Sequence, residues 1–399
     1  MARPIARRAR RPLALLLAAL AIGASSAEAA AVADPARRPA PTAPAKKPGR
    51  PALPPSVFSP NVTGIGGAAA PQLRGSGQSP VPDGPVDRAD AAYAAYQRGF
   101  YLQALALALP AAEAGEPAAM TLIGLLYEGG LGIPVDLDKA VRWYGLAADR
   151  GDREAAAALG LMAAEGRGLP KDPARAWTLF AAAAAKDQPN GLFNGALMMM
   201  DGRDAPHDVD KALAWLARAA ELGNIEAQYA LASVLADPDG PRHDPRLAAR
   251  WMREAAMSGF EAAEIEFALM LANGRGVKQS PEDAFVWFRR SALRGNAIGR
   301  NRLARMYAVG LGTAPDPVEA WKWHTLAARQ GLPDIWLETR LATVSPADRR
   351  RAEAEADRID ADLPPAPPRP AVPAADEPDA PKEAADPAPS APAAPAKRP

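Results

Sequence analysis

The three histidines of this 399-residue chain are the side chains best suited to acid–base or metal chemistry near neutral pH. His207 and His243 stand 36 residues apart, and each immediately precedes an aspartate, Asp208 and Asp244. Imidazole and carboxylate together suit a zinc-type ion if the two pairs converge. Both aspartates also open a helical pattern, where backbone N–H groups take up their oxygens, so metal binding is not expected. His324 falls in a column held elsewhere by Tyr144, Phe180 and Phe288, and is read as a packed aromatic. The absence of cysteine excludes thiolate catalysis, disulfides and every Cys-ligated metal site. Gly274 and Gly276 have the spacing of a phosphate loop. The same pair recurs at Gly130/Gly132, Gly166/Gly168 and Gly310/Gly312 as inter-helix turns, with no strand before it. With no Ser-His-Asp pattern and no isolated carboxylate pair, neither an enzyme nor a cofactor is expected.

What positions these residues is a strict repeat. Ala140, Ala176, Ala212, Ala248, Ala284 and Ala320 are each 36 residues apart. Three residues on stand Trp143, Trp215, Trp251, Trp287 and Trp323, with Leu179 in the remaining slot. The tryptophans are expected to be core. Asp136, Asp172, Asp208, Asp244, Ser280 and Asp316 are N-cap types, and Pro173, Pro245, Pro281 and Pro317 follow at a position where a missing N–H costs nothing. A glycine closes the pattern at 151, 223, 259, 295 and 331, with Asp187 in the second unit, where a left-handed stop is harder. This is a B helix of about four turns. An A helix precedes it, with the small column Ala119, Ala155, Gly191, Ala227, Ala263 and Gly299. Gly191, Asn194 and Gly195 weaken the third A helix, which puts the rigidity of 188–206 in doubt.

The residues from Ala119 to Gly132 read A-x3-L-G-x2-Y-x2-G-x-G, and those from Asp136 to Gly151 read D-x2-KA-x2-WY-x2-AA-x2-G. This pattern resembles the Sel-1-like repeat, a relative of the tetratricopeptide repeat. The resemblance covers 117–332 in six units and implies an all-α chain, a right-handed α/α superhelical solenoid that binds other proteins. Segment 87–116 is expected to be a divergent N-terminal helix pair acting as a cap. In 333–360, Ile335 to Leu341 and the capping box Ser345-Pro346-x-Asp348 are expected to open the closing helices.

The flanks differ in composition. Residues 1–29 read as a secretory signal: Arg3, Arg7, Arg8, Arg10 and Arg11, an apolar run from Leu13 to Ile22, then Ala27-Glu28-Ala29 as a cleavage site. A periplasmic or secreted location is therefore expected, with no integral membrane segment after cleavage. Segments 30–86 and 361–399 hold 26 of the 43 prolines and are expected to be disordered. The repeat region 87–360 carries 32 basic and 37 acidic side chains, which excludes a nucleic-acid binder built on basic excess.

The resemblance places A helices on the concave face and marks the columns that point inward. Those columns give Leu125, Leu161, Leu197 and Leu269 in one row with Phe193, Tyr229 and Ile265 beside it, and a polar end at Asn301 and Arg305. An exposed apolar row of this kind is a binding groove; packing between A helices is the competing reading. The expected function is an exported, non-catalytic adaptor holding a protein or peptide partner of the cell envelope. The alternatives are a cell-wall or β-lactam hydrolase, suggested by certain cysteine-rich relatives, and a spacer whose Pro-rich ends make weak contact with peptidoglycan.

Overall fold

Every B helix of the repeats opens on a side-chain cap. Asp136, Asp172, Asp208, Asp244, Ser280 and Asp316 each accept from the backbone N–H three residues on, at 2.9–3.2 Å. The computed structural model describes residues 88–240 and 242–362, all of whose regular structure is helical. In chain order the helices are α1 (Arg88–Gln97), α2 (Tyr101–Glu113), α3 (Pro117–Gly129), α4 (Leu137–Asp149), α5 (Arg153–Glu165), α6 (Pro173–Ala184), α7 (Pro189–Asp201) and α8 (Val209–Glu221). Then come α9 (Ile225–Ala236), α10 (Pro245–Met257), α11 (Glu261–Asn273), α12 (Pro281–Leu293), α13 (Ala297–Val309), α14 (Pro317–Arg329), α15 (Ile335–Arg340) and α16 (Pro346–Asp362). The expected signal 1–29 and linker 30–86 lie outside the described residues, as does the expected tail beyond Asp362. No helix among the described residues is long and apolar enough to cross a membrane.

Consecutive helices pack on one another as far as α15, α16 packs on α14, and A helices also meet the next A helix: α1 on α3, α3 on α5, α5 on α7 and α13 on α15. Among the B helices of the six repeats, no pair meets as closely. The A helices therefore occupy the shorter, inner arc of an α/α solenoid and the B helices the outer arc.

The fully buried column of helix B lies one residue after the tryptophans. Tyr144, Phe180, Leu216, Met252, Phe288 and His324 are all buried, whereas Trp143, Trp215, Trp251 and Trp287 are half-buried and Trp323 alone is enclosed. The tryptophans thus roof the core, because their column faces the seam between neighbouring units.

The glycines of the third unit do not loosen it. A Cβ on Gly195 would lie 2.6 Å from the Trp215 ring, and one on Gly191 would lie 2.6 Å from the Ala183 methyl. Both absences admit a neighbouring helix, and Trp215 stacks on Trp177 at 5.9 Å in the space created. The expectation of a weakened 188–206 is corrected: α7 is a full 13-residue helix. Asp187 does adopt the left-handed conformation, at φ 54°, and Arg218 holds its carboxylate through two hydrogen bonds of 2.9 Å. The turn after α9 departs in the other direction. Pro238 occupies the place of the left-handed glycine, which proline cannot adopt, and α9 ends on an extended Asp237.

Candidate functional site

The inner face is held in register by a column invisible to the repeat signature, the N-cap of helix A. Asp152, Gln188, Asn224 and Asn296 each accept from a backbone N–H of their own helix. Two of them also reach back one repeat: Gln188 Nε2 donates to Glu154 at 2.8 Å, and Asn224 Nδ2 donates to the Asn190 side-chain oxygen at 2.9 Å. Phe260 breaks the ladder and packs instead against Tyr229 at a tilt of 44°, with ring centroids 4.9 Å apart. At the end of the stack the register shifts by two residues and Asp334 becomes the cap of α15.

This packing decides which of the expected groove residues are open. Phe193, Leu197, Tyr229 and Ile265 are 5%, 6%, 3% and 6% exposed. The expectation of an open apolar row is corrected over these middle units, where these side chains turn into the hydrophobic core. Burial, aided by the nearby Glu266 carboxylate, pushes the Tyr229 phenol well above its usual value. Leu125, Leu161 and Leu269 remain half-buried, so the apolar ledge survives toward either end.

Asn301 and Arg305 are brought together by Asp334. Asn301 Nδ2 donates to Asp334 Oδ2 at 2.8 Å, and Arg305 donates to both carboxylate oxygens at 2.7 and 3.1 Å. Burial pushes the Asp334 carboxyl up, but the hydrogen bonds from Arg305 and Asn301 outweigh it and hold the group below the usual carboxylate range. The Arg305 guanidinium also lies 5.1 Å from the Trp336 ring centroid. Beside this network runs a column of alternating charge one repeat apart: Glu266, Arg302 and Glu338. Burial pushes the Glu266 carboxyl up against the pull of Arg275 and Arg302, and lowers the Arg302 guanidinium with help from Arg305. Sequence reasoning named Asn301 and Arg305 but missed Glu266, Arg302 and Asp334. Their spacing of 36 residues would have revealed the first two; Asp334 was hidden by the two-residue register shift.

The remaining chemistry-bearing residues are accounted for locally. His207 Nδ1 lies 3.1 Å from the Met199 carbonyl and His243 is exposed, so the two are not drawn into one site. His324 is buried against Trp321, with ring centroids 6.0 Å apart. Near the other end, Glu128 accepts from the Tyr144 hydroxyl at 2.8 Å and from Arg167 at 2.7 Å. Arg167, the middle residue of a Gly-x-Gly turn, also donates to Glu165 at 3.3 Å. The turn thus serves to bridge carboxylates of adjacent units.

Six consecutive segments, 117–152, 153–188, 190–224, 225–260, 262–296 and 297–332, match the Sel1 repeat, more than half of the chain. The chain belongs to the Sel1 repeat family. A Sel1 repeat protein from Oxalobacter formigenes is similar in structure, with 28% identity and a TM-score of 0.52, covering 61% of this chain and 97% of that one. A protective antigen of uropathogenic Escherichia coli with the same repeat fold shows 23% identity and a TM-score of 0.45, covering 65% of this chain and 64% of the antigen. Immunity protein Pa5087 of Pseudomonas aeruginosa shows 21% identity and a TM-score of 0.34, covering 61% and 84%. No curated protein matches the chain. Sel1 repeat proteins generally mediate protein–protein interaction, and the fold is typically a non-catalytic scaffold.

Proposed function

We propose that this Sel1 repeat chain is a non-catalytic adaptor that holds a segment of a protein partner against the C-terminal half of its inner face, and that it works in the cell envelope after export. The observation that carries the reading is Trp336. Its ring is 42% exposed yet fixed beneath Arg305, which Asp334 holds by two hydrogen bonds. Aromatic and arginine side chains dominate the energetics of protein interfaces, and a pre-ordered pair loses little entropy on binding. Ile335 beside it is 80% exposed, and half-buried Leu269 continues the ledge one repeat away from Arg305. Export is supported by the basic and apolar pattern of residues 1–29.

Pull-down from an envelope fraction with the full chain tests the reading. A specific partner should be recovered, and lost from Trp336→Ala and from Leu269→Glu while circular dichroism stays unchanged. Retention by both variants places the partner elsewhere. A chain from that fraction beginning at Ala30 supports export, and one still beginning at Met1 in the cytoplasm contradicts it.

A further inference from the structure

Among the described residues, several outward arginines are paired: Arg218 with Asp187, Arg242 with Asp210, Arg290 and Arg294 with Glu264, and Arg329 with Asp357 and Asp360. Others, such as Arg175 and Arg340, are exposed without an ion pair, and the outer face of α10 brings three of this kind together. Arg246, Arg250 and Arg253 recur at i, i+4 and i+7, the spacing of a single helix face, and all three are exposed. Arg289, one repeat beyond Arg253, extends the stripe onto α12. None of the four has a carboxylate partner among the described residues; Arg250 lies 5.7 Å from the Trp251 ring centroid. The only acid on α10 is Glu254, and Glu282 and Asp283 stand at the start of α12. Stacked like charges on one helix face are unfavourable unless an anion covers them.

We propose that this stripe docks residues 376–386 of the same chain. That stretch carries Asp376, Glu377, Asp379, Glu383 and Asp386 against the single base Lys382. Carboxylates accept paired hydrogen bonds from guanidinium groups, so the match is one of geometry as well as charge. The chain also leaves the fold in the right place. Asp360 near the end of α16 accepts from Arg329 at 3.0 Å, and the positions one and two repeats before Arg329 are Leu293 and Met257, the last residues of α12 and α10. The path from α14 to α10 runs through α13, α12 and α11, four packed steps and at most about 40 Å. Residues 363–375 span up to about 45 Å, so the acidic stretch reaches the stripe. Tethering raises its local concentration to about the millimolar range, enough to populate a contact made of surface ion pairs.

The chain has no native cysteine, which permits a single nitroxide label at Ala380→Cys of the full-length protein. Amide signals of 246–257 should be attenuated about twofold or more relative to those of α9 at low salt, the mark of a tethered contact populated most of the time. Attenuation should vanish in about 0.5 M salt, where screening acts within a few ångströms. It should vanish equally in Arg246→Glu/Arg250→Glu/Arg253→Glu. It should also vanish in Asp376→Asn/Glu377→Gln/Asp379→Asn/Glu383→Gln, whose changes leave the helical body untouched. Uniform attenuation, none, or attenuation that survives the second variant overturns the proposal. So does a stripe that is silent until phosphatidylglycerol vesicles are added, which assigns the arginines to a membrane surface.

Discussion

Gly160 shows how single positions set the spacing of the helix pair. A Cβ there would lie 2.8 Å from the Phe180 ring, and the same holds at 2.7 Å for Gly124 against Tyr144. The same column carries Ala196 opposite Leu216, Ala232 opposite Met252 and Ala268 opposite Phe288, so the spacing is set unit by unit. Gly160→Val should therefore destabilise the protein by about 1–3 kcal/mol, read by equilibrium urea unfolding. His324 makes a pH-dependent contribution. Burial pushes its proton affinity below the usual histidine value, against the pull of Glu338 and Asp334. The unfolded chain then takes up a proton near pH 6.5 that the folded chain refuses, so stability should fall as pH drops below that point. His324→Phe, which copies Phe180 and Phe288, should flatten the melting temperature between about pH 7 and 5.5, before carboxylates titrate. At this scale much was legible: the helix B caps recur as Asp in five units and Ser in the other. The helix A caps were not, because Asp152, Gln188, Asn224, Phe260 and Asn296 share a position without sharing a chemistry.

Helices in this chain are tied across repeats by polar side chains as well as packed. Asn224 caps α9 and bonds back to Asn190 on α7, so Asn224→Ala removes both links. A loss of about 1 kcal/mol is expected by urea unfolding, with Asn224→Asp retaining the cap and recovering part of it. At the end of the stack α16 is pinned by charge. Arg329 donates to Asp357 and Asp360 at 2.7 and 3.0 Å, Lys322 donates to Glu355 at 3.2 Å, and Trp321 donates to Glu353 at 3.2 Å. Arg349 lies 4.1 Å over the Trp321 ring. Because these pairs are largely at the surface, salt should weaken them. Amide exchange in 346–362 should accelerate with ionic strength well before exchange in α9 does. Element boundaries were legible wherever Asp or Ser met Pro and also at α15, read to start at Ile335; what stayed hidden is that its cap Asp334 answers Asn301 and Arg305.

Over the whole molecule, an unbroken 36-residue period means that each unit meets its neighbours in the same way. The fold could be read from that period alone. Which inner-face residues are open could not, since exposure depends on which side chains the core takes in across neighbouring units. The inner-face apolar rows look alike in sequence, yet Phe193 and Leu197 are closed while Leu125, Leu161 and Leu269 are partly open. Repeat independence also predicts that excising 189–224, one full period, leaves a shorter folded solenoid with native-like helicity per residue, measurable by circular dichroism and small-angle scattering. The binding role rests on the inner arc near Trp336. Site-resolved photo-crosslinking in the native cell addresses it most directly, with a photoreactive residue placed in turn at Trp336, at Leu269 and at exposed Ala174 on the outer arc. One protein captured from the first two sites and not from the third is the predicted result. Capture from Ala174 alone would contradict the account.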